Sequence, residues 1–315
     1  MPTSRHPTAR KSHRAPLLAS ACLCAGFLGL ATLPARAADL PGTPPASAGD
    51  AGYEIDTENI FGFTEGSDTN DRGEQELSIS AVGRFNRAAE DSDASSTYHA
   101  WEGELEYEYG FTRNLTIGVS ASFANADISN IEDLDDTSGG GFNGLSAEIK
   151  YRLLSWEHSP VGLTLAIEPE WSRFDDDSGA RVDGFGLPIR LLIDREIMSE
   201  TLFGAINLAY EPEWAGSDKE SGLEISGALS WQAAPGFFLG GELRYLAGFE
   251  GAGLDSFEGG ALYLGPSLYT QLGKAAYFKA AYSYQIVGSA SEGEGNLDLI
   301  SHEKHQLLLK LGVEF

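Results

Sequence analysis

The sequence predicts an all-β chain, a transmembrane antiparallel up-and-down β-barrel of about twelve strands with short periplasmic turns and long acidic outer loops. Three observations predict it. At the C-terminal end, Leu307, Leu309, Leu311, Val313 and Phe315 share one face of an extended segment, while Gln306, Leu308, Lys310, Gly312 and Glu314 share the other. That is the pattern of a closing barrel strand with a terminal aromatic. The chain opens with a basic stretch, an apolar stretch and an Ala-x-Ala motif, as secreted proteins do. Between these ends, apolar residues recur with a period of two, in runs of about ten residues separated by turn residues.

Residues 1–37 read as a cleaved Sec-type signal peptide. Arg5, Arg10, Lys11 and Arg14 form its basic region, Ala15 to Pro34 its apolar region, and Ala35-Arg36-Ala37 its cleavage site. Both cysteines, Cys22 and Cys24, lie inside it. A mature chain without thiols has no disulfide framework, thiolate metal site or cysteine nucleophile. The whole chain holds 21 basic and 47 acidic residues. Five basic residues and no acid leave with the signal, so the mature chain carries 16 against 47, a net charge of -31. Such a chain does not bind nucleic acid through its phosphates, which requires Lys and Arg to displace counterions. No stretch of the mature chain approaches the length of apolar sequence that a transmembrane helix needs.

The strands follow in order, each defined by its apolar face. The first carries Leu77, Ile79, Ala81 and Phe85, and the second Trp101, Leu105, Tyr107 and Tyr109. The third carries Leu115, Ile117, Val119 and Phe123, and the fourth Leu145, Ala147, Ile149, Tyr151 and Leu153. Leu163, Leu165, Ile167 and Trp171 mark the fifth, and Phe185, Leu187, Ile189, Leu191 and Ile193 the sixth. The seventh shows Leu202, Ile206, Leu208, Tyr210 and Trp214, and the eighth Leu223, Ile225, Leu229 and Trp231. The ninth shows Phe237, Leu239, Leu243, Tyr245 and Phe249, and the tenth Leu262, Leu264, Leu268 and Leu272. Phe278, Ala280, Tyr282, Tyr284 and Ile286 mark the eleventh, and the C-terminal segment is the twelfth.

Connections alternate between short turns, such as Thr112-Arg113-Asn114 and Gly273-Lys274, and mostly longer acidic segments, such as Asn125 to Phe142. An even strand count puts both termini on the periplasmic side and the long loops outside, as in bacterial barrels. A soluble sandwich or lipocalin-like barrel shows the same alternation with its apolar face inward. Two features favour the inverted arrangement. The polar faces are too charged for a sandwich core, and Trp101, Tyr109, Trp171, Trp214, Trp231 and Tyr284 cluster at strand ends as an interfacial girdle.

With the apolar faces toward lipid, the alternate residues line the interior. Glu102, Glu104, Glu106 and Glu108 then form an acidic ladder on the second strand. Glu-Pro-Glu-Trp occurs twice, placing Glu168 and Glu170, and again Glu211 and Glu213, at outer strand ends. Both copies also read as simple strand-end punctuation, since Pro lacks a ladder donor. Arg190 and Arg244 meet this acidic vestibule at the waist, with Arg84, Lys150, Arg152, Lys279 and Lys310 as further inward cations. An acidic mouth concentrates cations. Alternatively, these charges pair across strands and fill the interior. Inward-facing Phe203, Phe238, Tyr263, Tyr269 and Tyr277 would narrow any pore.

No catalytic, cofactor or metal site is expected. His302-Glu303-Lys304-His305 lacks zinc-protease spacing. His99 lies near Ser95, Ser96 and the acidic ladder without a defined nucleophilic constellation. The acidic clusters Asp133, Asp135, Asp136 and Asp175 to Asp177 match no calcium-loop spacing and read as solvated charge runs.

Glu58-Asn59-Ile60-Phe61-Gly62-Phe63, followed by Thr64-Glu65-Gly66-Ser67-Asp68-Thr69 and Gly73, resembles the opening of a Gram-negative family of unknown function. Its members look like outer-membrane barrels and are labelled transporter-like. Tyr109-Gly110-Phe111-Thr112-Arg113-Asn114-Leu115 is similar to a turn shared by that family and the loosely named phenol-degradation pathway transporters. The resemblance implies location and architecture and supplies no binding residues. Residues 38–72 are expected to remain in the periplasm or to enter the lumen as a plug, and residues 73–315 to form the barrel. The expected function is passage of small solutes, biased toward cations, with a filled, non-conducting barrel as the alternative. Expected partners are outer-membrane lipid and lipopolysaccharide, and the barrel-assembly machinery through the strand ending at Phe315.

Overall fold

The computed structural model describes residues 55–156, 158–175, 178–290 and 295–315; the expected signal peptide lies outside these residues. Among the described residues, fourteen strands form one antiparallel sheet. They are β1 (Gln75–Phe85), β2 (Thr97–Thr112), β3 (Leu115–Ser129), β4 (Thr137–Leu154), β5 (Gly162–Ile167), β6 (Glu170–Phe174) and β7 (Arg181–Gly186). There follow β8 (Ile189–Met198), β9 (Leu202–Ala215), β10 (Asp218–Ala234), β11 (Phe237–Glu250), β12 (Ser256–Leu272), β13 (Ala276–Ala290) and β14 (His305–Glu314). Strand β14 pairs with β1, from Glu76 opposite Glu314 to Phe85 opposite His305, so the sheet closes and leaves no edge.

The fifth and sixth expected strands are each broken in two. Strands β5 and β6 share one strand path along β4, interrupted at Glu168-Pro169, and β8 and β7 share the next, interrupted at Leu187-Pro188. Proline has no N–H for the ladder. The neighbouring groups bridge the gap instead: Glu168 N–H donates to Pro188 O (2.9 Å), Leu187 N–H to Pro212 O (3.1 Å) and Ala147 N–H to Pro169 O (3.1 Å). Twelve strand paths therefore make the barrel. Its short turns use glycine in the left-handed region, at Gly236 (φ 70°) and Gly273 (φ 83°).

The faces follow the period of two. Leu77, Ile79, Leu105, Val119, Leu145, Ile149, Leu229, Leu243, Leu264, Leu311 and Val313 are exposed on the outside. Glu76, Ser78, Glu108, Glu148, Lys150, Ser226, Glu242, Arg244 and Lys279 are buried on the inside. Phe203, Phe238, Tyr263, Tyr269 and Tyr277 are buried there too. An apolar exterior around a polar interior is the arrangement of a barrel whose solvent is lipid. His99 faces away from the acidic ladder, on the outer face, and packs edge-on against Phe85 with ring centres 5.7 Å apart. The sequence proximity noted above therefore does not become spatial proximity to those carboxylates.

A charge on the mid-barrel outer face should be costly. Leu243→Arg is expected to destabilise the barrel by roughly 2–4 kcal/mol, measured by denaturant unfolding from lipid vesicles.

Candidate functional site

Residues 55–74, before β1, lie against inward-facing side chains of most of the barrel. Their seat begins with a carboxylate cradle. Three successive backbone donors, the N–H groups of Gly62 (2.9 Å), Phe63 (2.8 Å) and Thr64 (3.0 Å), converge on the Glu242 carboxylate. Such a run of N–H groups is an anion-binding concavity. It requires Gly62, because a Cβ there would lie 2.5 Å from Ala281 Cβ and collide with Glu242.

The base of the segment is tied to β8 and β5. Asp194 accepts from Thr57 Oγ1, from Ser67 N–H (2.9 Å) and from Ser67 Oγ (2.6 Å), while Thr164 donates to Ser67 O (2.5 Å). Thr57 also reaches Asp68, which takes Arg152 at 3.0 Å. Ile60 and Phe61 pack on Phe203, Phe238, Tyr269 and Tyr277, which form a buried aromatic floor at the short-turn end. Phe63 lies under Arg244, whose guanidinium carbon is 4.0 Å from the ring centre, close enough for a cation–π contact.

Charges join segment and wall. Lys150 pairs with Glu58 of the segment and with Glu108 and Glu148 of the wall, the latter two at 2.9 Å. Arg190 pairs with Glu65 of the segment (3.2 Å), Glu168 (3.0 Å) and Glu148. Burial alone would raise the Glu65 carboxyl, but Arg190, assisted by Lys150, Lys279 and Lys310, holds it at about 2, below its usual 4.5. A carboxyl depressed on folding contributes stability above its unfolded pKa and loses it as pH falls toward the folded one. The Glu65 contact therefore persists through neutral and mildly acidic pH.

Above the segment lies a chamber of about 210 Å³, bounded by Glu58, Asn59, Gly62, Phe63 and Glu65 below and by Ser80, Glu104, Glu106, Glu148, Lys150, Glu168, Arg190, Lys279, Leu308 and Lys310 around it. Of the sequence-identified vestibule residues, Glu104, Glu106, Glu168 and Arg190 line this space. Arg244 lies apart from its lining and binds Glu224 through two bonds of 2.9 Å. Glu102 pairs with Arg84 toward the loop end (4.0 Å). Glu170 lies against Gly186, and Glu211 against Gly222, on strands outside the chamber wall, while Glu213 is exposed near the loop end. The chamber residues absent from the sequence-derived vestibule include Glu58, Asn59, Phe63 and Glu65, together with Glu148, Lys150, Lys279 and Lys310. Period-two alternation marked Lys150, Lys279 and Lys310 as inward-facing cations, and Glu148 shares the inward face of Lys150. The motif around residues 58–65 carried a resemblance, while its contacts depend on strands far along the chain.

At the loop end, Asp298 and Glu303 are buried. Gln285 Nε2 donates to Asp298 O (2.8 Å) and Tyr263 Oη to Glu303 O (2.5 Å), so residues 295–304 fold against the inner wall. Glu106, Glu108 and Glu148 could converge on a metal ion. Lys150 occupies part of that space with its ammonium, and the group is better described as a lysine-neutralised acid cluster.

A family model described as a family of unknown function (DUF6662) matches residues 53–315. The chain belongs to this family. Among solved structures, this DUF6662 barrel is similar to the COG4313 outer membrane channel from Pseudomonas putida F1, with TM-score 0.56 and 14% identity over 83% of this chain and 100% of that one. That likeness establishes an outer-membrane β-barrel fold. The KdgM porin in complex with disordered oligogalacturonate (TM-score 0.45, 10% identity, 76% and 99% covered) and the NanC porin (0.46, 9%, 75% and 98%) are weaker matches. Their TM-scores are too low to carry an argument. No curated protein sequence matches the chain.

Removing the cradle should loosen the DUF6662 segment without opening the sheet. Glu242→Ala is expected to make residues 55–74 sensitive to limited proteolysis in detergent micelles while the strands stay protected.

Proposed function

We propose that this chain is an outer-membrane channel or transporter for small solutes, and that residues 55–74 act as a plug which must shift before solute crosses. The carrying observation is the mid-barrel chamber, whose lower boundary is the segment itself. The residues that line the chamber above that boundary are mostly polar and charged, as a solute path requires. Above it, Glu170, Glu211 and Glu213 add negative charge toward the loop end, which would favour cation entry. In this reading the short turns face the periplasm, the outer face contacts outer-membrane lipid and lipopolysaccharide, and the closing strand engages the assembly machinery. No enzymatic role is proposed. His305 stacks on Tyr282 and lies tilted against Tyr284 on the outer face, away from the chamber.

A second reading, a filled barrel with a structural or surface-binding role, is favoured by the density of bonds that seat the segment and by the aromatic floor beneath it. The two readings separate in planar bilayers. A Cβ built on Gly162 would lie 3.1 Å from Ser67 Cβ. That is slightly shorter than the usual disulfide span of about 3.5–4.5 Å, so the pair must ease apart and Asp194 Oδ1, 2.2 Å from the new Cβ, must turn aside. The chain from Ala38 onward holds no cysteine. In that chain, the pair Gly162→Cys and Ser67→Cys should abolish single-channel steps when oxidised and recover them with a reductant. A wild-type barrel that is folded and silent would instead establish the filled-barrel reading. Current that persists through the oxidised clamp would mean that solute passes around a stationary segment.

Charge selectivity is a separate expectation. Replacing Glu168, Glu170, Glu211 and Glu213 together with Gln should shift the reversal potential in a salt gradient toward zero cation preference. An unchanged reversal potential would remove these acids from the selectivity mechanism.

A further inference from the structure

One wall of the chamber contains a charge arrangement that the protein leaves incomplete. Lys279 on β13 stands directly opposite Lys310 on β14, both facing inward. Like charges at directly opposed sheet positions repel. Lys310 is compensated, by Glu106 at 3.3 Å and Glu76 at 3.8 Å. Lys279 is 4% exposed, yet among the described residues its ammonium has no hydrogen-bond or ion-pair partner. Glu65, Glu242 and Glu58 oppose part of its charge from a distance, but no described carboxylate touches it. A buried cation without a contact partner beside a second cation is an arrangement that a bound anion would relieve. Asn59, 2% exposed, borders the same chamber, and its Nδ2 also lacks a hydrogen-bond partner. Two kinds of donor, an ammonium and an amide, thus border a space whose carboxylates, among the described residues, accept a hydrogen bond from neither.

The chamber also contains the opposite element. Glu104 lines it, and among the described residues its carboxylate has neither a hydrogen bond nor an ion pair. Its neighbours along the ladder differ, since Glu106 is engaged by Lys310 and Glu108 by Lys150. A bare carboxylate disfavours a dianionic occupant and favours one that also carries a cation.

We propose that the chamber binds a small zwitterion, its carboxylate received by Lys279 and Asn59 and its ammonium by Glu104. The occupant is small because about 210 Å³ falls below the usual range of roughly 300–1,000 Å³ for drug-sized pockets. It is zwitterionic because one compact space presents an ammonium and a carboxyl group that no described side chain contacts, and an incoming ammonium favours the ionised form of that carboxyl. This assignment rests on the channel reading, whose solute it names by chemical class.

The test is calorimetric titration of the refolded barrel in detergent with γ-aminobutyrate, and with its two halves, butyrate and butylamine. Binding is read without reference to conduction, so failure of the solute assignment and failure of the channel reading are separable. γ-Aminobutyrate should bind more tightly than either half. Lys279→Met should weaken it about 10- to 100-fold and spare butylamine, as expected when a charge-assisted hydrogen bond is lost. Glu104→Gln should weaken it while sparing butyrate. Lys279→Met relieves a like-charge repulsion and should fold. If it does not, Lys279→Arg provides the second variant and should retain binding. Absence of saturable γ-aminobutyrate binding, or binding insensitive to both Lys279→Met and Glu104→Gln, overturns the proposal. Currents observed without such binding would leave the channel reading standing and remove the zwitterion.

Discussion

The structure depends on how a lumen rich in carboxylates is neutralised by few cations. Lys150 and Arg190 carry the main burden, each shared among three carboxylates, and each takes one from the segment before β1 and the others from the wall. Taking such groups out of water costs several kcal/mol per ion unless the geometry restores what hydration supplied. The wall alone would have Lys150 among Glu108 and Glu148 with a coordination site unfilled. The segment alone would have Glu58 and Glu65 without a counterion. Neither part is electrostatically complete without the other, so the interior is a single network assembled from distant pieces of chain.

Apolar packing plays a different role from the one it has in soluble proteins. The outer belt sets which face of every strand points where, because lipid cannot hydrogen-bond a misplaced charge. Inside, apolar packing gathers in two buried clusters, the floor where Ile60 and Phe61 meet Phe203, Phe238, Tyr269 and Tyr277, and Tyr98, Ala100, Ala126, Ile128 and Ile131 toward the loop end. Burying each such side chain is worth about 1.5–3 kcal/mol, similar to about 1.5–3 kcal/mol for a hydrogen bond to a charged group. The Glu242 cradle and the Asp194 contacts together outnumber the segment's apolar anchors on that floor. The seat is therefore held mainly by polar bonds, which water can replace on release more readily than it can solvate an exposed aromatic surface.

Much of the fold was legible in the sequence because lipid on one face imposes a strict alternation. The inward placement of Phe203, Phe238, Tyr269 and Tyr277, of Lys150, Arg190 and Arg244, and of the acidic ladder all followed from counting by twos. The interruption of two strands at Pro169 and Pro188 did not, although those prolines were in view, because carbonyls on adjacent strands determine whether a gap in the ladder becomes a break. The candidate site was less legible. Alternation shows that Glu104 and Lys279 face inward but not that both reach the same chamber, which requires the registers of β1, β2, β13 and β14 together. The Gly62 to Glu242 contact spans 180 residues, a separation at which no local pattern operates. His99 shows the converse, since closeness in sequence placed it on the opposite side of the wall from the acids beside it.

The path of the segment has a topological consequence. Ile55 packs on the aromatic floor at the short-turn end, and at its other end Thr69 Oγ1 donates to Arg113 O and Asn70 N–H to Thr116 Oγ1, beside the turn between β2 and β3. Entry and exit lie at the same rim, so residues 55–74 form a loop dipping into the ring rather than a thread passing through it. A dipping loop can be withdrawn or inserted with every inter-strand bond intact. Among the described residues it creates no knot, and it can be seated after the ring has closed as readily as before. The order in which the two events occur is thus left to kinetics, since the geometry constrains neither.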